Sequence, residues 1–346
     1  YQGNAQVLDH ILVSNNLAEA AKLDIVNFNS PYMEEHGRAS DHDALVAQLD
    51  LAVEEGPFTL SLLHTNDTHA YVEQFPKLIT AVNELRFQKE NSLLLNAGDV
   101  FSGTLYFRQY LGLADLYFMN QLGFDAMTLG NHEFDKDSAT LANFIKQAEF
   151  PIVSANVNMT NDSELGPLFN NSIGGMNEKG EIFPAIIKEV DGEEIGIFGL
   201  TTEDTAFLAN PGDNIVFEDA VEKANETIDM LEAQGVDKIV ALSHLGYQPD
   251  LDLAEKVDGI DVIVGGHSHT KLDAPVVVEK EEPTLIVQAN EYLKYLGVLD
   301  VTFDENGVIT NYTGELKDLS KYAEYETAKA KVEEYIEKVK KVEELD

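Results

Sequence analysis

The chain has 346 residues, with 62 acids against 23 bases for a formal net charge of −39, and no cysteine. That length holds one large or two modest domains, and 44% hydrophobic residues suit a folded globular chain. The composition excludes disulfides and thiolate metal ligands, and it disfavours a basic nucleic-acid groove, which rests on Lys and Arg. No apolar run approaches the roughly 18 residues that a membrane-spanning helix needs. Such an acid-rich surface stays soluble in concentrated salt, where its self-repulsion is screened. A halophilic or salt-tolerant source, exposed to the outside medium, is the expectation. Residue 1 is Tyr and no signal peptide precedes it, so the sequence reads as a mature or excised piece.

In chain order, 6–13 (QVLDHILV) reads as a strand, 15–23 as a short helix and 44–53 (ALVAQLDLAV) as a strand. EEGP at 54–57 punctuates the chain and sets a boundary near residue 56. Strands and helices then alternate. FTLSLLH (58–64) is a strand, 76–90 a helix with Pro near its start, SLLLNAGD (92–99) a strand, and FDAMTLGN (124–131) another. A helix over 137–150 leads to the strand PIVSANV (151–157). EIGIFGL (194–200) is a strand, 218–235 an amphipathic helix closed by Gly, and DKIVALSH (237–244) and DVIVGG (261–266) are strands around a short helix. TLIVQAN (284–290) and GVLDVTFD (297–304) finish the pattern, and 324–346 is a long charged helix. The alternation predicts a layered α/β domain.

The strand ends share a property. Asp67 and His69, in NDTHA, follow one strand; residues i and i+2 of an extended segment share a face, so the pair can converge on one object. Asp99 ends NAGD, Asn131 and His132 open NHEFD, His244 ends ALSH, and His267 and His269 stand in GGHSH. Singly each is weak: a lone His244 after a strand reads as structural, and GGHSH as a glycine-rich loop. Together, five strands deliver metal-competent groups just past their C-terminal ends, the edge where α/β sheets bind ligands. Glu133 reads as a packing or capping residue, Ser102 and Thr104 as helix caps, and His64 as structural; His10, His36 and His42 lie outside the constellation.

NDTHA, GDVFSGT, GNHEFD, SHLG and GGHSH resemble, in order and context, the calcineurin-like metallophosphoesterases, and most of all the N-terminal catalytic domain of the 5′-nucleotidases, over about residues 57–320. The resemblance implies a four-layer α/β/β/α sandwich with two divalent metal ions; nitrogen and oxygen ligands suit Zn, Mn, Co or Fe, and Zn or Mn is the expectation. Asp67, His69, Asp99 and His269 would hold the first, and Asp99, Asn131, His244 and His267 the second. His132, oriented by Asp135, would serve catalysis beside them, and a metal-bound hydroxide would be the nucleophile. The implied activity is hydrolysis of 5′-nucleotide monoesters. 2′,3′-Cyclic nucleotides, nucleotide sugars or general phosphoesters are alternative substrates, and an acidic ion-binding module with a relic site is the non-enzymatic alternative. An extracellular, cell-surface or periplasmic setting goes with it.

Two departures stand out. Full 5′-nucleotidases carry a C-terminal nucleoside-gripping domain, whereas this sequence ends within the helix over 321–346 that would lead to it. Residues 1–56 resemble instead the end of a DNase-like endonuclease/exonuclease/phosphatase domain, through DHILVSNN (9–16) and RASDHDALVAQL (38–49), with Asp41 and His42 matching that family's catalytic pair. The expected arrangement is a remnant over 1–56, the catalytic domain over 57–320, and a parent chain carrying an upstream nuclease domain and a downstream nucleoside-binding one.

Overall fold

The computed structural model describes residues 21–26, 44–49, 57–175 and 177–343. The chain divides after Gly56 into two compact units. In the first, Ala21–Val26 and Ala44–Leu49 pair as an antiparallel two-stranded sheet. The helix expected over 15–23 is therefore strand from Ala21 onward. The strand expected over 6–13 and the Asp41–His42 pair lie outside the described residues.

The second unit is built on two sheets. One has seven strands in the order Ile309–Asp318, Tyr295–Phe303, Phe58–Thr65, Ser92–Asn96, Ala126–Thr128, Ile152–Val153 and Ile182–Phe183. The other has six: Val276–Val278, Thr284–Val287, Val262–Gly265, Lys238–His244, Glu193–Thr201 and Ala185–Val190. Side chains alternate across each strand, and here both faces are apolar, as expected of strands covered on two sides. Leu60, Leu62, Leu93 and Leu95 meet Ile195, Ile197, Val240, Leu242, Val262 and Val264 between the sheets. Leu63, Leu94 and Met127 turn the other way, onto Phe75–Gln88, Leu113–Leu122 and Ser138–Gln147. Phe198, Leu200, Ile239, Ala241 and Ile263 pack on Ala220–Glu232 and Tyr247–Lys256. Helix, sheet, sheet and helix make the four layers.

Local chemistry sets the helix ends. Asp137 and Asp219 accept from Thr140 N and Glu222 N, each at 2.8 Å, satisfying first-turn donors that the helix cannot. The C-terminal helix Glu326–Glu343 does not stand clear of the body. It buries Ala328, Val332 and Val339 in the same layer as Phe75–Gln88.

The central strands of both sheets run parallel, so their C-terminal ends open on one edge each. Every residue of the predicted constellation leaves the sheets there.

Candidate metal centre

The loops at that edge are wound tightly. Asp67, His69, Asp99, His267 and His269 all have φ between 48° and 69°, a left-handed conformation uncommon for residues with a side chain. Such strain persists where surrounding bonds over-determine it. Here Asp67 N donates to Gly98 O and His69 N to Asp99 O, both at 3.0 Å, stitching the first two loops together. Glu133 holds the third. It is buried, and its two oxygens accept from Asp99 N (2.9 Å), Val100 N (2.8 Å), Phe101 N (3.1 Å) and Gly130 N (2.6 Å). Burial and the Asp99 charge raise this carboxyl, while the backbone bonds oppose the shift. Gly130 allows the approach: a Cβ there would stand 2.2 Å from Asp99 Oδ1.

The nine predicted site residues converge. His269 Nε2 stands 3.2 Å from both Asp67 Oδ1 and His69 Nε2. His69 Nε2 is 3.9 Å from Asp67 Oδ1 and 3.8 Å from Asp99 Oδ2. On the other side, His244 Nε2 lies 3.0 Å from that same Asp99 Oδ2. His267 Nδ1 and Asn131 Oδ1 are 2.9 Å apart. His132 presents its backbone N–H to Asp99 Oδ1 at 2.9 Å and its Nδ1 to Asp135 Oδ2 at 2.6 Å. Its ring packs edge-on against His69, with centroids 5.0 Å apart.

Electrostatics divide the ligand histidines: against the effect of burial, the Asp99 charge raises His244 to about 10, and the contact with Asp67 raises His269. Burial would raise the Asp99 carboxyl, but His244, His132 and His69 together outweigh it and hold the group well below the usual carboxylate range. Burial pushes the His69 and His267 imidazoles down, toward the neutral form that ligates. The Asp135 hydrogen bond raises His132 to about 9, against the opposing effect of burial. His244 Nε2 is buried and makes no hydrogen bond, whereas its Nδ1 is fixed on Ala97 O at 2.6 Å. A buried polar atom is normally satisfied, so an unpaired imidazole nitrogen aimed at a carboxylate fits a metal ligand. Three sets of donor atoms lie within 4.8 Å of one another: Asp67, His69 and His269; His69, Asp99 and His132; Asp99, His244 and His267. Nitrogen and oxygen donors of this kind suit Zn, Mn, Fe or Co.

A model of the Calcineurin-like phosphoesterase family matches residues 60–271, more than half of the chain. The chain belongs to the calcineurin-like phosphoesterase family. It is 46% identical over 274 residues to the trifunctional nucleotide phosphoesterase protein YfkN of Bacillus subtilis, covering 74% of this chain and 19% of that protein. It is 38% identical over 310 residues to the 5′-nucleotidase of Mus musculus, covering 80% of this chain and 52% of the relative. The crystal structure of the 5′-nucleotidase precursor from Thermus thermophilus superposes with a TM-score of 0.75 at 42% identity, covering 82% of this chain and 59% of that one. The chain thus spans about half the length of the mouse relative and about a fifth of the Bacillus one. Calcineurin-like phosphoesterases use divalent metals, and the chain resembles 5′-nucleotidases in sequence and in fold.

The remaining expectations divide. Thr104 is a helix cap, accepting from Tyr106 N at 3.2 Å ahead of Leu105–Tyr110. Ser102 is not a cap: its hydroxyl donates to Asp135 Oδ2, the oxygen that faces His132. His64 is structural, buried against Gly297 of the neighbouring strand. Two contributors were missed from the motifs, Glu291 and Tyr292. Glu291 pairs with His269 Nδ1. The Tyr292 ring lies edge-on to His69 (5.6 Å) and His269 (5.7 Å). Both follow Thr284–Val287, a strand ending at the same edge, and that position was the available signal. No helix among the described residues is long and apolar enough to cross a membrane.

Proposed function

We propose that this chain hydrolyses the phosphate monoester of 5′-nucleotides at a centre of two divalent ions, Zn or Mn. One observation carries the reading: Asp99 Oδ2 stands between two histidine groups, 3.8 Å from His69 and 3.0 Å from His244, as a carboxylate shared by two ions would. Asp67, His69, Asp99 and His269 would hold the first ion, and Asp99, Asn131, His244 and His267 the second. Paired ions of this kind supply a nucleophile from water at neutral pH and neutralise charge on the phosphoryl group.

The chain's own groups do the rest. His132 sits at the rim, its side chain 37% exposed. With Nδ1 on Asp135, it offers Nε2 to a phosphoryl or leaving-group oxygen. Ser102 steadies Asp135 by donating to the same Oδ2 that meets His132. Only Asp67 and Asp99 among the ligands are anionic, so two bound ions leave the site net positive inside a protein of charge −39. That local sign is what lets an acidic chain hold a phosphate. The same acid-rich surface supports an extracellular, cell-surface or periplasmic setting.

Phosphate release from AMP tests the reading. Chelation should abolish it, Zn or Mn should restore it, and Asp99→Asn should not recover with either metal. Release that survives both chelation and Asp99→Asn refutes it. A second reading, with 2′,3′-cyclic nucleotides or other phosphoesters as substrates, is supported by the 46% identity to a protein called trifunctional. Turnover of AMP, a cyclic nucleotide and an aryl phosphate by the same preparation separates the two.

A further inference from the structure

The site histidines are anchored unequally. His69 Nδ1 faces Phe101 O at 3.2 Å and His244 Nδ1 faces Ala97 O at 2.6 Å, so backbone carbonyls fix both rings. Both rings are also enclosed, with side chains 7% and 0% exposed. His269 differs. Its side chain is 32% exposed, and its Nδ1 meets no carbonyl but the carboxylate of Glu291. Glu291 is itself tied on its other oxygen to Lys294 Nζ at 2.6 Å.

The segment that carries Glu291 is built into the centre. Asn290, Tyr292 and Leu293 are left-handed, with φ of 62°, 59° and 52°. Tyr292 N donates to Asp67 O at 2.7 Å, and Asn290 Nδ2 to His269 O at 3.0 Å. Asn66 Nδ2 reaches Asn290 O at 2.6 Å and Asp67 Oδ2 at 2.6 Å. The segment therefore grips Asp67 and His269 together, and its register is set by the same two loops it supports.

From this geometry we infer that Glu291 is a positioning residue for the first ion, locking His269 with its proton on Nδ1 and its Nε2 lone pair toward Asp67 and His69. The inference rests on the two-ion reading above. A carboxylate on the far nitrogen of a ligating imidazole fixes tautomer and ring orientation and makes the ring a better donor. His269 depends on it because neither burial nor a backbone carbonyl holds that ring. Lys294 is the outer member: by bonding Oε1 it keeps Oε2 on the imidazole.

Equilibrium dialysis of Mn or Zn against the full chain tests this without any turnover. Glu291→Gln keeps shape but loses the charge, and the affinity of one of the two ions should fall about 10- to 100-fold. The other ion should bind within about twofold of wild type, because His244, His267 and Asn131 are untouched. Glu291→Asp should recover part of the loss. Lys294→Ala, at a half-exposed partner, should weaken the same ion by about two- to fivefold. If Glu291→Gln does not fold, Lys294→Ala decides. Unchanged binding of both ions overturns the inference, as does an equal loss of both with the fold intact by circular dichroism. Wild-type protein that takes up only one ion refutes the two-ion reading instead. The affinity of that one ion in Glu291→Gln then still decides the role of Glu291.

Discussion

Glu133 offers a demanding test of how the centre is held. Its two oxygens take four backbone N–H groups from two separate loops, with Oε1 on Val100 and Phe101 and Oε2 on Asp99 and Gly130. Glu133→Gln preserves volume but turns one oxygen into an amide donor. Whichever way the amide is flipped, two buried N–H groups then lose their acceptor and face another donor. Leaving one buried group unsatisfied costs about 1–3 kcal/mol, so the variant should lose about 2–6 kcal/mol. Domains are stable by only about 5–15 kcal/mol, so this is a large fraction of the total. The loss should appear in urea denaturation as a lower midpoint at unchanged slope. Function should suffer more than stability suggests. The bonds that break hold either Val100 and Phe101, next to Asp99, or Asp99 itself and the turn before Asn131, and a displacement of about 1 Å at a reacting centre costs about 100-fold in rate. Phosphate release by folded Glu133→Gln, metal-loaded and well below its melting point, should therefore fall about 100-fold. A stability change below about 1 kcal/mol together with wild-type turnover would refute the clamp.

Gly130→Ala attacks the same junction from the other side. Its Cβ would overlap Asp99 Oδ1, so metal uptake by dialysis should collapse, and wild-type uptake would contradict the packing. His64 governs an acid-dependent loss of stability. It is wholly buried, its Nδ1 has no partner, and burial pushes its imidazole down to about 3. The unfolded chain binds this proton from about pH 6.5 downward while the folded chain does not until about 3, so stability present above 6.5 is lost as pH falls. Between pH 7.5 and 5.0 the loss is about 2 kcal/mol, which His64→Leu should remove from metal-free protein; identical slopes for variant and wild type would disprove it. Asp250 and Asp261, raised by burial to about 7 and about 8, act in the opposite sense, so only the difference between the two proteins is informative. Finally, the melting temperature should rise from low to molar salt, because the self-repulsion of a −39 chain is screened there; no rise would remove the argument for a salt-tolerant source.

What was legible in the sequence follows from which residues signal alone. Asp67, His69, Asp99, Asn131, His132, Asp135, His244, His267 and His269 announce themselves because each sits after a hydrophobic run, and the parallel sheets bring those ends together. The strand Ile309–Asp318 escaped because it is an edge with no buried residue, ITNYTGELKD, and no apolar alternation to read. Leu113–Leu122 escaped for the opposite reason: most of its residues are buried, leaving no polar face to mark a period. Several expected strands also came out short. SLLLNAGD stops at Asn96 and FDAMTLGN is strand only over Ala126–Thr128, because Gly98, Asp99 and Gly130 are committed to tight loops rather than to the ladder. Glu133, Glu291 and Tyr292 belong to a third class. Their work is done through backbone N–H groups and through another residue's ring. No spacing rule encodes a backbone partner 34 positions away, as Asp99 stands from Glu133. Ligand types can be read from a chain, whereas the groups that aim them become visible only once the loops are in contact. The tests most specific to this fold therefore fall on Glu133 and Glu291 rather than on the ligands.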